Sequence, residues 1–251
     1  MSAGKVKTIL VSQPAPPKDK SPYHDLERKY KVKVDFRPFI HVEGMTASEF
    51  RKQRIHILEH TAVIFTSRHA VDHFFRLCEE TRVSLPEGMK YFCISEAVAY
   101  YMQNYMVYRK RKIFYGKQRF ADLVEILKKH KQETFLLPCS DIYKESMPKM
   151  LEDAKLRHTL GIFYRTVASD LSDLADIKYD MLVFFSPSGI KSLFKNFPDF
   201  SQNGTRIAGF GPSTAKAIED AGLRLDVPAP TPDHPSMSKA IEDYVKAVNK
   251  R

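Results

Sequence analysis

Short apolar runs of strand length alternate along this chain with stretches whose apolar residues recur at helical spacing, the pattern of parallel sheets covered by helices. Residues 8–11 open as a strand, and Ser21-Pro22 supplies a cap and a first-turn proline for a helix carrying Leu26 and Tyr30. Residues 32–40 read as the next strand. Thr46-Ala47-Ser48-Glu49 is a capping box, with Phe50, Ile55 and Leu58 on the helix behind it. Residues 62–65 form a buried strand that runs through Thr66-Ser67 into a helix with Val71, Phe74 and Phe75. Residues 91–94 are a further strand, and Ser95 starts the helix after it.

The second half repeats this order. Strands are expected at 135–137, 160–167, 181–185 and 206–210, with helical stretches through Met147, Met150 and Leu151 and over 171–177. Two strand-to-helix turns match across the halves. Phe65-Thr66-Ser67 corresponds to Phe184-Phe185-Ser186 and Ile94-Ser95 to Phe210-Gly211, at offsets of 119 and 116 residues. So regular a period points to two similar α/β domains. The last helix has the plainest apolar face, with Met237, Ala240, Ile241, Tyr244, Val245 and Val248 in register. The proline-rich stretches 14–17 and 228–235 follow strand-like runs and read as loops at a sheet edge.

Composition adds a charge. Of 251 residues, 43% are hydrophobic and 28% charged, which excludes a disordered or fibrous chain. The net charge is +10, which favours an anionic partner. Residues 38–164 and the remainder each carry a net +5, an even spread that suits an anion held from both parts better than a basic nucleic-acid tail. Arg109-Lys110-Arg111-Lys112 is accordingly read as a solvated strand edge. The start of the chain lacks the apolar core of a signal peptide, and no apolar run approaches bilayer length. A cytoplasmic protein that binds neither nucleic acid nor membrane is the expectation.

Candidate chemistry concentrates where strands hand over to helices, the usual ligand-binding edge of an open parallel sheet. Thr66-Ser67-Arg68, Ser95, Ser186-Pro187-Ser188-Gly189 and Ser213-Thr214 all place hydroxyls there. Free backbone N–H groups at a helix N-terminus add a partial positive charge, so each turn is a candidate carboxylate or phosphate site, and equally an ordinary cap. No dinucleotide fingerprint, phosphate-binding loop or nucleophile elbow is present. The pairs His56/His60 and His69/His73 stand four apart on expected helices without a metalloprotease pattern and read as surface or half-buried histidines. Cys78, Cys93 and Cys139 are too scattered for a disulfide framework or a thiolate metal site, and Cys139 reads as a small buried residue rather than a nucleophile.

In sequence and order, Phe65-Thr66-Ser67-Arg68-His69-Ala70-Val71, Leu137-Pro138-Cys139-Ser140, Phe163-Tyr164-Arg165-Thr166-Val167, Phe184-Phe185-Ser186-Pro187-Ser188-Gly189, Gly211-Pro212-Ser213-Thr214-Ala215-Lys216-Ala217 and Ala229-Pro230-Thr231-Pro232 resemble the uroporphyrinogen-III synthase family. The resemblance implies two flavodoxin-like, parallel-sheet α/β domains joined by a two-stranded linker, with the active site in a cleft between them. The first domain would take residues 1–37 and 167–251 and the second 38–166. It also implies a monomeric lyase without metal or organic cofactor, which dehydrates and cyclises linear hydroxymethylbilane while inverting the last pyrrole ring. That substrate carries eight carboxylate side chains, to which the positive charge and the hydroxyl-bearing turns correspond. Tyr164 aligns with a tyrosine implicated in the family and would either protonate or orient the departing hydroxyl or, as a strand-end tyrosine, only line the cleft. Thr66, Ser67, Arg68, Ser95, Ser186, Ser188, Gly189, Ser213 and Thr214 would bind substrate. Two positions depart from the pattern: Val98 replaces a threonine found in some relatives, and the basic residue after Thr-Ser is either Arg68 or His69. A non-catalytic two-domain protein of the same fold, binding an anionic ligand or acting as a regulator, is the competing expectation.

Overall fold

The structure, a computed structural model, describes residues 4–17, 20–175 and 178–250. The chain begins with strand β1 (Thr8–Val11), helix α1 (His24–Tyr30), β2 (Lys33–Phe36), β3 (Ile40–Gly44) and α2 (Ala47–Lys52). It continues through β4 (Ala62–Phe65), α3 (Arg68–Glu80), β5 (Lys90–Cys93), α4 (Glu96–Tyr101), β6 (Ile113–Tyr115) and α5 (Phe120–Leu127). Next come β7 (Phe135–Ser140), α6 (Ser146–Asp153), β8 (His158–Ala168), β9 (Met181–Phe184) and α7 (Pro187–Asn196). The last elements are β10 (Arg206–Phe210), α8 (Pro212–Asp220), β11 (Val227–Ala229) and α9 (Met237–Asn249).

These elements form two compact units, Met1–His41 with Val167–Arg251, and Val42–Thr166. The chain crosses between them along β3 and β8, which are neighbours in one sheet. In the first unit a parallel sheet has the order β2-β1-β9-β10-β11. Its strands are apolar on both faces: Ile9, Val11, Met181 and Val183 pack with Leu26, Ile241 and Val245, while Leu10, Leu182, Phe184 and Ile207 pack with Ile190, Leu193 and Ile218. In the second unit the order is β3-β8-β7-β4-β5-β6. Val63, Phe65 and Tyr91 meet helices α3 and α4 on one face, and Ile64, Phe92 and Phe135 meet α5 and α6 on the other.

The two sheets share one layout in permuted chain order. Reading across the first, β2-β1-β9-β10-β11 corresponds in sense to β8-β7-β4-β5-β6 of the second. Each unit therefore has a switch point, between β1 and β9 or between β7 and β4, where the direction of strand addition reverses. The matching turns read from the sequence fall at equivalent places in this layout, after β4 and β9 and after β5 and β10.

Local expectations change where backbone chemistry intervenes. The strand expected at 32–40 is two strands in two sheets, because Pro38 has no N–H for a ladder and residues 37–39 fall outside both strands. Ser21 does not cap a helix: its Oγ accepts from Tyr23 N at 3.3 Å within a turn, and α1 starts at His24. In place of the helix expected at 171–177 there is a single 3-10 turn, Ser172–Leu174; residues 176–177 lie outside the described residues. The stretches β6 and β11, three residues each, are too short to show alternation, and both are edge strands. Pro228 is tolerated in β11 because an edge strand pairs on one side only.

The capping box is present and does more than cap. Glu49 accepts from Thr46 N and Oγ1 at 2.9 Å each and from Arg165 Nη2 at 2.9 Å, tying α2 to β8. The Thr46 hydrogen bonds, and then Arg165, pull the Glu49 carboxyl from 4.5 down to about 2. A depressed carboxyl contributes stability that is complete above its unfolded value and is lost as pH falls through the folded one. Urea-unfolding midpoints should therefore drop less between about pH 5 and about pH 3 in Glu49→Gln than in the unmodified protein. Identical slopes would contradict this linkage.

Candidate active site

In the second unit the switch point is built by the carboxyl ends of β4 and β7, with β8 beside β7. After β4, Ser67 leaves the strand in an extended conformation and caps α3, its Oγ accepting from Ala70 N at 3.1 Å. The same Oγ lies 3.2 Å from the phenol oxygen of Tyr164 on β8. Tyr164 reaches this position through a register shift. Cys139 pairs with Ile162 but Ser140 pairs with Tyr164, so Phe163 is an extra residue in the ladder. Adjacent strand residues normally point to opposite faces; here Phe163 and Tyr164 are both buried in the same cluster. Phe163 anchors the bulge against Phe50 and Phe74, at ring-centroid distances of 4.6 and 5.9 Å.

Tyr164 is only 7% exposed. Burial raises its phenol pKa, and the hydrogen bond to Ser67 opposes that shift, so the group is a protonated donor at neutral pH. The capping bond uses a lone pair of Ser67 Oγ and leaves its hydroxyl proton free to go to Tyr164. When Ser67 donates, the tyrosine proton is directed elsewhere. Two histidine rings of α3 flank the phenol, His73 at 5.2 Å and His69 at 6.2 Å between centroids. Arg68 turns away, its guanidinium 5.2 Å over the ring of Tyr101. Of the two basic residues after Thr-Ser, His69 is the one beside the phenol. Thr66 is half-buried at the same turn.

Ser95 caps α4, accepting from Val98 N at 3.4 Å, so Val98 contributes its backbone N–H although it lacks a hydroxyl. Ser140, the other residue at the switch point, is occupied locally, donating to Asp141 Oδ1 at 2.8 Å and accepting from Ile142 N at 3.2 Å.

In the first unit the equivalent turn follows β9. Ser186 caps α7, accepting from Gly189 N at 3.3 Å, with Pro187 at the first helical position. A side chain at Gly189 would meet Phe184 at 3.1 Å and Ser12 Oγ at 3.8 Å, so glycine lets α7 start close to the ends of β9 and β1. Ser188 is half-buried at this turn. Gly211, at φ 89°, precedes α8 in a conformation that side chains rarely adopt and has no side-chain cap. Ser213 is exposed there, whereas Thr214 is only 1% exposed and packs inward, so its hydroxyl is not on the surface of the rim. Ser12, equivalent in layout to Ser140, was not signalled by any motif; only strand order reveals it.

The alternative chemistries find no support here. All three cysteines are buried, and burial lifts each thiol to about 12, which leaves them unreactive. Among the described residues no group of three or more His, Cys, Asp and Glu side chains could hold a metal ion. His60 instead bonds the carbonyl of His56 through Nδ1 at 3.0 Å. Arg109 and Lys112 of the basic run both pair with Glu87, at 2.7 and 3.8 Å. No helix among the described residues is long and apolar enough to cross a membrane. A cavity of the first unit, 860 Å³, opens at the amino ends of β9 and β10 beside Asp180 and Arg206, away from the capped rim. Its amide Gln202 is already spent on Arg224 and Asp226.

The family model described as "Uroporphyrinogen-III synthase HemD" matches residues 21–239. Two curated proteins named uroporphyrinogen-III synthase are 27% identical: one from Saccharomyces cerevisiae over 137 residues and one from Chlorobaculum parvum over 124. These matches cover 49% and 46% of this chain and about half the length of each relative, 50% in both cases. The crystal structure of uroporphyrinogen-III synthetase from Helicobacter pylori 26695 superposes with a TM-score of 0.59 at 15% identity, covering 96% of this chain and 99% of that one. A mutant uroporphyrinogen III synthase from the extremely thermophilic bacterium Thermus thermophilus gives 0.52 at 13% identity, covering 98% and 100%. Both similarities concern the fold: two α/β domains with parallel sheets.

Ser67→Ala removes the α3 cap and one hydrogen bond to Tyr164. It should lower unfolding stability by about 1 kcal/mol. It should also move the Tyr164 phenol pKa further up, followed by NMR with ring-labelled tyrosine and assigned with Tyr164→Phe. A downward shift would mean that Ser67 is not the group favouring the phenolate.

Proposed function

Since the chain belongs to the uroporphyrinogen-III synthase family, we propose that it dehydrates and cyclises hydroxymethylbilane to uroporphyrinogen III, inverting the last pyrrole ring. The observation that carries this reading is the buried phenol of Tyr164, hydrogen-bonded to Ser67 at the N-terminus of α3. Tyr164 donates its proton to the departing hydroxyl, which leaves as water. The electron-rich pyrrole stabilises the cation left behind, so this step needs little beyond a placed proton. The demanding step is directing attack to the substituted carbon through a spiro intermediate while simple end-to-end closure is suppressed. Such control is a matter of positioning and charge placement.

Carboxylates of the substrate are taken by the strand-to-helix turns of both units. Thr66, Ser67, Ser95, Ser186, Ser188 and Ser213 lie at those turns with the backbone N–H groups of the helices that follow. Gly189 contributes its lack of a side chain, and Thr214 contributes through its backbone. His69 adds a basic group beside the phenol, and Arg68 supports the turn from the Tyr101 ring. Neither step draws on a metal or organic cofactor. A monomer acting in the cytoplasm on a free tetrapyrrole is the corresponding setting.

The reaction is tested by supplying hydroxymethylbilane and resolving the product isomers by chromatography. Enzymatic uroporphyrinogen III is expected. Formation of the type I isomer alone, at the spontaneous rate, would refute the activity and leave a binding protein of the same fold. Tyr164→Phe should lower kcat by roughly a hundredfold with the fold intact by circular dichroism. An unchanged kcat would remove the phenol from the mechanism.

A further inference from the structure

Tyr164 is held by a closed circuit of contacts that runs through α3 and β3 and returns to its own strand. The imidazole of His73 lies nearly parallel to the phenol, at 5.2 Å between centroids and 23° between planes. Arg76 Nε donates to His73 Nδ1 at 3.3 Å, and Arg76 Nη2 donates to the carbonyl of Met45 at 2.6 Å. Met45 N then donates to the carbonyl of Phe163 at 2.9 Å, the residue before Tyr164. Arg76 also pairs with Glu80. Gly44 closes the circuit from above: a Cβ there would stand 2.5 Å from Arg76 Nη2 and 2.7 Å from His73 Nδ1. A side chain here would push this pair aside, so glycine lets β3 lie against it.

We propose that His73 is a positioning residue for Tyr164, acting as a neutral imidazole whose Nδ1 accepts from Arg76 and whose ring fixes the plane of the phenol. This rests on the reading of Tyr164 as the proton donor. Because Arg76 occupies Nδ1 as a donor, the imidazole proton sits on Nε2. A second proton would have to enter at Nδ1, breaking the Arg76 bond and setting two like charges together. The groups facing His73 agree with that state. Burial, the Arg76 guanidinium and His69 all push its pKa below the ordinary 6.5, with Asp72 alone opposing. Asp72 is itself engaged by the Tyr105 hydroxyl at 2.6 Å. From β8 the facing group is the phenol, from the end of β3 the bare backbone of Gly44, and from the residue after it the carbonyl of Met45.

The sign follows from the depressed pKa. The neutral clamp is complete at and above pH 6.5 and fails as pH falls through the lower folded value. Protonation therefore misaims the phenol on the acid side without touching the turns that bind carboxylates.

Three variants separate positioning from packing. His73→Ala removes both ring and acceptor, and should lower kcat roughly tenfold to a hundredfold at neutral pH with KM little changed. His73→Phe keeps the ring and cannot ionise, so it should retain most of kcat and lose the acid limb that His73 contributes. Gly44→Ala displaces the Arg76–His73 pair from a different strand and should lower kcat in the same sense as His73→Ala. The readout independent of turnover is the Tyr164 resonance in ring-labelled tyrosine NMR. It should titrate with a midpoint below 6.5 in the unmodified protein and stop doing so in His73→Phe. Persistence of that titration in His73→Phe would show that His73 is not its source and overturn the proposal. So would wild-type kcat in His73→Ala, or a loss confined to KM. If the protein forms no uroporphyrinogen III at all, the functional reading fails while the resonance still tests the clamp.

Discussion

A parallel strand cannot be joined to its neighbour by a tight turn; the chain must travel back the length of the sheet, and here it does so mainly as a helix. That constraint gathers the start of each crossover helix at the carboxyl edge of the sheet, and the rest of this molecule depends on it. In one unit the edge collects the N-termini of α7 and α8, and in the other those of α3 and α4. Unpaired N–H groups at these ends must find acceptors, and Ser67, Ser95 and Ser186 each supply one. The same groups that satisfy the helices are those an anion would meet. The proposed carboxylate recognition would thus require little beyond what the fold already imposes, and its specificity would have to come from elsewhere.

The added element is Tyr164. A regular ladder would send Phe163 and Tyr164 to opposite faces of β8, whereas the shift at Ser140 lets both enter one cluster. The bulge leaves the phenol oxygen at the capping serine of α3, and the circuit through His73, Arg76, Met45 and Phe163 holds the ring in place. Burial keeps the phenol protonated. A fixed neutral donor beside helix N-termini would suit the proposed reaction, whose difficulty is direction rather than bond-breaking strength.

Much of this was legible in the residues themselves. Four-residue apolar runs such as Ala62–Phe65 and Met181–Phe184, each ending in a serine cap, announced buried strands and the helices after them. What periodicity cannot encode is partnership. Residues 32–40 look like one strand because the apolar pattern continues, while Pro38 and the change of sheet belong to tertiary structure. The permuted order of the two sheets is hidden for the same reason, and with it the role of Ser12 and Ser140 at the switch points. Ser67 and Tyr164 are 97 residues apart, and nothing local joins them. His69 and His73 did carry a signal, their spacing of four on one helix face, but considered as metal ligands they pointed to no chemistry; their partner is a ring on β8. Thr214 shows the converse, a hydroxyl in the right motif that packs inward.

The central claim, that anionic substrate is held at the carboxyl edges of both sheets, is tested most directly by titrating the amide-labelled protein with uroporphyrin III, a stable oxidised form of the proposed product. The account predicts that the largest amide shifts fall in the turns at Ser67–Ala70, Ser95–Val98, Ser186–Gly189 and Gly211–Ala215. Shifts concentrated instead at the amino ends of the strands, around Asp180 and Arg206, with those four turns unmoved, would contradict it.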